Sequence, residues 1–222
     1  MFTDFFSRFT TPALIGLILT ASLLVITHDW RLSFVALGVQ YALAALLIAQ
    51  IVIWQVVVVK ALVGLLVIGI FILTGRQVNY GLTSPTPLRL RALAQFEFPT
   101  GLPFRLLATV MAVVVAWYLA SQPELTFPGL SLSLNLASAI LITLGLLNLG
   151  LTEEPMNAGM GLLTGLMGFE IVYAAVEPSL AIIALLAAVN FGVALAVSYL
   201  ALLRYPVPAR APEPEPAPES AP

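Results

Sequence analysis

A single carboxylate, Glu170, stands in an otherwise apolar stretch, GMGLLTGLMGFEIVYAAV. An acid kept away from water is costly, so it persists with a counter-charge, with a proton, or with a task that needs one. One lysine, Lys60, occupies a comparable run, IWQVVVVKALVGLLVIG, and one amide, Asn190, sits in LLAAVNFGVALAV, with a second amide, Gln40, earlier in the chain. These residue types can hold and pass protons. Burial favours the neutral carboxyl and a nearby ammonium favours the carboxylate, so a Glu170–Lys60 pair is poised between two states. Amides relay hydrogen bonds but carry no net charge. At each position a plainer role stays open: an ion pair that only fastens two helices, and amides that serve as helix–helix glue.

Around Glu170 the glycines Gly159, Gly161, Gly165 and Gly168 thin one side of a helix, and Gly161 with Gly165 forms a GxxxG pattern, which reads as close packing. Met156, Met160 and Met167 read as packing residues rather than ligands. His28, beside Asp29, is expected at an interface and not on a metal. No metal or cofactor site is expected.

The elements that position these residues follow from composition. The 222-residue chain is 60% hydrophobic and 9% charged, far more apolar than a soluble domain, so it is expected to be an all-α polytopic membrane protein. The N-terminal residues 1–11 lack the basic start of a signal peptide and read as mature chain. A first span is expected over 12–27. The apolar stretch 32–74 is about twice the roughly 20 residues that one crossing needs, so it holds two spans that reverse near Gln50 to Gln55. Residues 12–74 thus carry helices one to three. Residues 75–102 form a loop rich in proline and arginine, with room for a short interfacial helix over 88–98. Helices four and five occupy 103–151, and helices six and seven occupy 152–203. The remainder, 204–222, holds seven of the sixteen prolines and reads as an extended, disordered tail.

Seven spans put the termini on opposite sides. With that count Arg31, Arg76, Arg89, Arg91, Arg105, Arg204 and Arg210 share one face, while the other carries only Arg8. Positive charge stays cytoplasmic, which predicts the N-terminus outside and the C-terminus inside. Trp30 and Tyr205 then lie near the inner interface and Trp54, Trp117 and Tyr118 near the outer one. Lys60 and Glu170 fall at one depth, roughly 10 Å below the outer ends of their helices at 1.5 Å per residue. Asn190 and Gln40 are expected deeper, near mid-bilayer.

Exclusions narrow the function. A net charge of −2 offers no basic patch for nucleic acid. Zero cysteines and one histidine rule out disulfides, thiolate-bound zinc, cysteine-ligated iron–sulfur clusters and a bis-histidine haem. Redox chemistry would have to reside in another subunit.

Five blocks in order carry a resemblance: RLSFVALGVQYALAALL, IWQVVVVKALVGLLV, NLASAILITLGLLNLG, MGLLTGLMGFEIVYAAVEP and LLAAVNFGVALAV. Together, over about residues 12–203, they resemble the E component of the hydrogenase-4 and formate hydrogenlyase group. The last three spans are similar to the small K subunit (chain 4L) of respiratory complex I and to the C subunit of multisubunit Na⁺/H⁺ antiporters. The resemblance implies a non-catalytic subunit of an ion-translocating membrane arm in the inner cell membrane, beside antiporter-like, hydrogenase or complex I-like partner subunits and lipid. It places Glu170 on the family's membrane glutamate and Lys60 on a lysine of the third span. Asn190 stands where the family usually has a second acid, a departure that leaves that position unable to bind and release a proton alone. The alternatives are a structural scaffold of the membrane arm, a stand-alone seven-helix protein and an independent solute transporter. A retinal pump would be expected to carry its lysine in the last helix, and Lys60 is in the third; no pair of matching broken helices marks a transporter.

Overall fold

The computed structural model describes residues 9–27, 29–52, 54–78, 101–127, 129–177 and 179–204. The described residues fold into seven α-helices: α1 (Thr10–Ile26), α2 (Trp30–Ile48), α3 (Trp54–Gln77), α4 (Leu102–Ser121), α5 (Leu132–Leu151), α6 (Pro155–Val176) and α7 (Leu180–Arg204). A single 3₁₀ turn, Pro123–Leu125, follows α4, and no strand occurs among the described residues. Six of the helices are long and apolar enough to cross a membrane; α1, at 17 residues, is shorter. With backbone polar groups satisfied inside each helix, this is an architecture a bilayer accepts. The N-terminal segment, His28, the expected interfacial helix over 88–98 and the proline-rich tail lie outside the described residues.

Local sequence sets the boundaries. Pro155 is the first residue of α6 and Pro103 the second of α4, positions where the missing N–H costs no helical bond. Gln50 to Val52 make the reversal between α2 and α3. Between α4 and α5 the chain turns through Gly129, whose φ of 89° suits a residue without Cβ.

Successive helices run up and down. Thr10 at the start of α1 donates to Gln50 after the end of α2 (3.1 Å), and Asn135 near the start of α5 donates to the carbonyl of Ala120 at the end of α4 (3.1 Å). At the opposite end Arg204 of α7 reaches the Glu153 carbonyl in the α5–α6 turn. Arg31, Arg76, Arg105 and Arg204 all fall at this second end; the first carries none among the described residues, only Glu124 and Glu177. Exposed Trp117 and Tyr118 lie toward the first end and Trp30 at the second, with the Arg31 guanidinium 5.2 Å from the Trp30 ring centre.

The tightest seam joins α5 to α6, backbone on backbone. A Cβ on Gly168 would stand 2.7 Å from the Ser138 carbonyl oxygen, and one on Gly145 would stand 2.7 Å from the Gly161 carbonyl oxygen. A Cβ on Gly161 would in turn meet the Gly145 carbonyl at 2.9 Å. Gly165 takes part through its backbone: a Cβ on Gly145 would collide with the Gly165 amide nitrogen and stand 2.8 Å from its Cα, so Gly161 and Gly165 both face Gly145, while a Cβ on Gly165 itself would meet nothing within 4 Å. Met156, Met160 and Met167 are fully buried core side chains. The other large packing group sets α2 and α3 against α6 and α7, the four helices that carry the polar residues.

Candidate functional site

Glu170 lies on the inward side of α6, 8% exposed, and each of its carboxylate oxygens has a different partner. The Lys60 ammonium, from α3, bonds to Oε2, and the Asn190 side-chain amide, from α7, donates to Oε1. Three helices therefore converge on one carboxylate. Lys60 is the seventh residue of α3 and Glu170 the seventh from the end of α6, so two antiparallel helices bring them level. Lys60 is 7% exposed and Asn190 2%. A buried pair of this kind holds when its geometry is good and its remaining lone pairs find donors, and Asn190 supplies such a donor.

Asn190 is the eleventh residue of α7, further from the α6–α7 turn than Glu170, yet its amide reaches the carboxylate because side chains on the two antiparallel helices each lean toward their own N-terminus and so toward each other. Gln40 is not brought to the carboxylate. Its oxygen accepts from the Thr164 hydroxyl at 3.3 Å, and Thr164 precedes Glu170 by six residues on α6, a rise of about 9 Å.

The next residue on α2, Tyr41, does belong to the site. Its ring centre lies 5.7 Å from the Lys60 ammonium, an aromatic face presented to a cation. Gly64, one turn after Lys60 on α3, admits that ring: a Cβ there would stand 2.8 Å from Tyr41 Cβ and Cγ. Lys60 with Gly64 is the signal in the sequence, a long cation and a gap on one helical face. A second residue absent from the candidates is Arg105. It is 6% exposed and donates from Nη1 to the Val25 carbonyl and from Nη2 to the Leu151 carbonyl, both at 3.1 Å. It caps the negative ends of α1 and α5.

A cavity of about 30 Å³ adjoins the carboxylate, lined on its polar side by Tyr41, Lys60, Glu170 and Asn190. Val63, Ile183 and Leu186 contribute to its apolar wall. No group of three or more histidine, cysteine or acidic side chains able to hold a metal occurs among the described residues. Chemically the arrangement offers one carboxylate, one cation and one amide in a largely water-excluded setting.

No protein-family model, curated protein or solved structure matches the chain.

Proposed function

We propose that the chain is a non-catalytic subunit of an ion-translocating membrane assembly, of the respiratory oxidoreductase, hydrogenase or antiporter type, in which Glu170 carries the proton. The observation behind this reading is the carboxylate itself: nearly buried, shared between Lys60 and Asn190, and set beside a small cavity. The second donor would serve an anchoring pair equally well; the space beside the carboxylate is what suits a group that changes its protonation. The resemblance of the five sequence blocks to the hydrogenase-4 E component, and of the last three spans to complex I subunit K, supports the same class. In that setting the subunit lies in the inner cell membrane with its arginine end cytoplasmic and its N-terminus outside, and its neighbours supply the groups that continue the path beyond Asn190.

A scaffold role is the second reading, favoured by the direct Lys60–Glu170 pair that ties α3 to α6. Glu170→Gln separates the two in the intact membrane assembly. A proton carrier loses ion pumping while the assembly, isolated in mild detergent, keeps its full subunit set. A scaffold loses subunits, and that result would displace the carrier reading.

A further inference from the structure

Two polar atoms beside Glu170 have no hydrogen-bond partner among the described residues: the Tyr41 hydroxyl and the Asn190 carbonyl oxygen Oδ1. Both side chains are 2% exposed and both line the cavity. A buried hydroxyl or amide oxygen left without a partner is destabilising, and native interiors resolve such groups with protein or water. At about 30 Å³ the cavity has room for about two water molecules; most of its wall is apolar, and Tyr41, Lys60, Glu170 and Asn190 are the polar groups on it that can bind them.

We infer that this cavity is a fixed water site, in which the Tyr41 hydroxyl and Asn190 Oδ1 hold one or two waters against the Glu170 carboxylate as its immediate proton exchange partner. The inference rests on the proton-carrying reading of Glu170 and adds a residue to it. Tyr41 acts through the waters and is a positioning residue: its ring borders Lys60, its hydroxyl orients the water, and Gly64 fixes where the ring stands. Asn190 has two jobs, donating to Glu170 through its NH₂ and accepting from water through its oxygen. The missing second acid is then replaced by an amide with water, which passes a proton without storing one.

Tyr41→Phe tests this, because it removes one oxygen and leaves the ring, the cation contact and the packing against Gly64. An orphaned hydroxyl with no water would make this variant as stable as the parent or more so, since an unsatisfied group has been deleted. A hydroxyl that holds water makes it less stable and empties the site. The full chain, reconstituted in lipid nanodiscs, is compared by infrared spectroscopy in ordinary and ¹⁸O-labelled water, with Glu170→Gln locating the carboxyl band. Expected in the parent are label-sensitive bands of ordered water, their loss in Tyr41→Phe, and a displaced Glu170 band. Ala187→Leu, which fills the cavity from α7 and keeps the hydroxyl, should lose the same water bands. Water bands and a Glu170 band unchanged in both variants overturn the inference. A Glu170 band that never titrates, in a parent that still shows Tyr41-dependent water, instead overturns the carrier reading and leaves the water site standing.

Discussion

Arg105 and Leu151 meet through a guanidinium nitrogen that donates to a backbone carbonyl at 3.1 Å, on the last residue of α5. The same side chain reaches Val25, one residue from the end of α1, so a single cation closes two helix ends inside the protein. Those carbonyls have no intrahelical partner, and with little water nearby they depend on this donor.

Arg105→Met should therefore lower stability by about 3 kcal/mol, from the loss of two charge-assisted bonds of roughly 1.5–3 kcal/mol each, partly offset by removal of a buried charge. Arg105→Lys should recover only part of this, since one ammonium cannot span both carbonyls as the fork does. Denaturant unfolding in detergent measures both. A Met variant as stable as the parent would sink the clamp. Arg204, whose contact with Glu153 is exposed, serves as the comparison and should cost no more than about 1 kcal/mol when replaced by alanine.

At the α5–α6 seam the sign of a glycine substitution depends on position. Gly168→Ala forces a Cβ toward the Ser138 carbonyl, and backbone cannot yield as a side chain can, so a loss of about 1–3 kcal/mol is expected. Gly165→Ala meets nothing and should gain up to about 1 kcal/mol from helix propensity. Thermal unfolding of the two variants side by side decides it, and equal effects would contradict the seam described.

Removing either member of the central pair leaves the other charge buried. In the subunit purified alone, without the partners that hold it in the assembly, Lys60→Met and Glu170→Gln should each destabilise by about 3–5 kcal/mol, while the double variant should be less damaged than the sum of the two, by at least about 2 kcal/mol. A double-mutant cycle in detergent reads this coupling directly. Additive losses would mean that the two side chains do not depend on each other.

Orientation can be read with thiols, because the chain has no cysteine to remove. Single cysteines at Glu124 and Glu153 sit at opposite ends of the bundle. With the arginine end cytoplasmic, an impermeant maleimide labels the first in intact cells and the second only after permeabilisation. The reverse pattern would invert the assigned orientation.

The helices were legible because apolar runs of this length have few other uses: the 32–74 stretch had to reverse, and it does so at Gln50 to Val52. Counting depth from helix ends brought Lys60 and Glu170 level. The same counting set Asn190 further in than Glu170 and did not foresee their contact, because it follows the backbone and leaves out the lean of each side chain toward its helix N-terminus. Arg105 and Tyr41 escaped for another reason. An arginine near a helix start reads as a residue that snorkels to the surface, and a tyrosine in an apolar helix reads as core. Whether such side chains turn inward depends on neighbouring helices, which one helix's sequence does not encode. Gly64 beside Tyr41 is the nearest thing to a written sign.

The partners at the centre are separated by 110 positions in the chain. At about 5–20 residues per second during synthesis, Lys60 is made roughly 5–20 s before its counter-ion exists. Four more helices have to be produced before α3 meets α6 and α7, so the lysine enters the membrane as an unmatched charge and has to be sheltered, neutralised or kept shallow until the last hairpin arrives. Biogenesis of this protein therefore contains a waiting step, and insertion factors that hold polar helices near the translocon should matter most for α3.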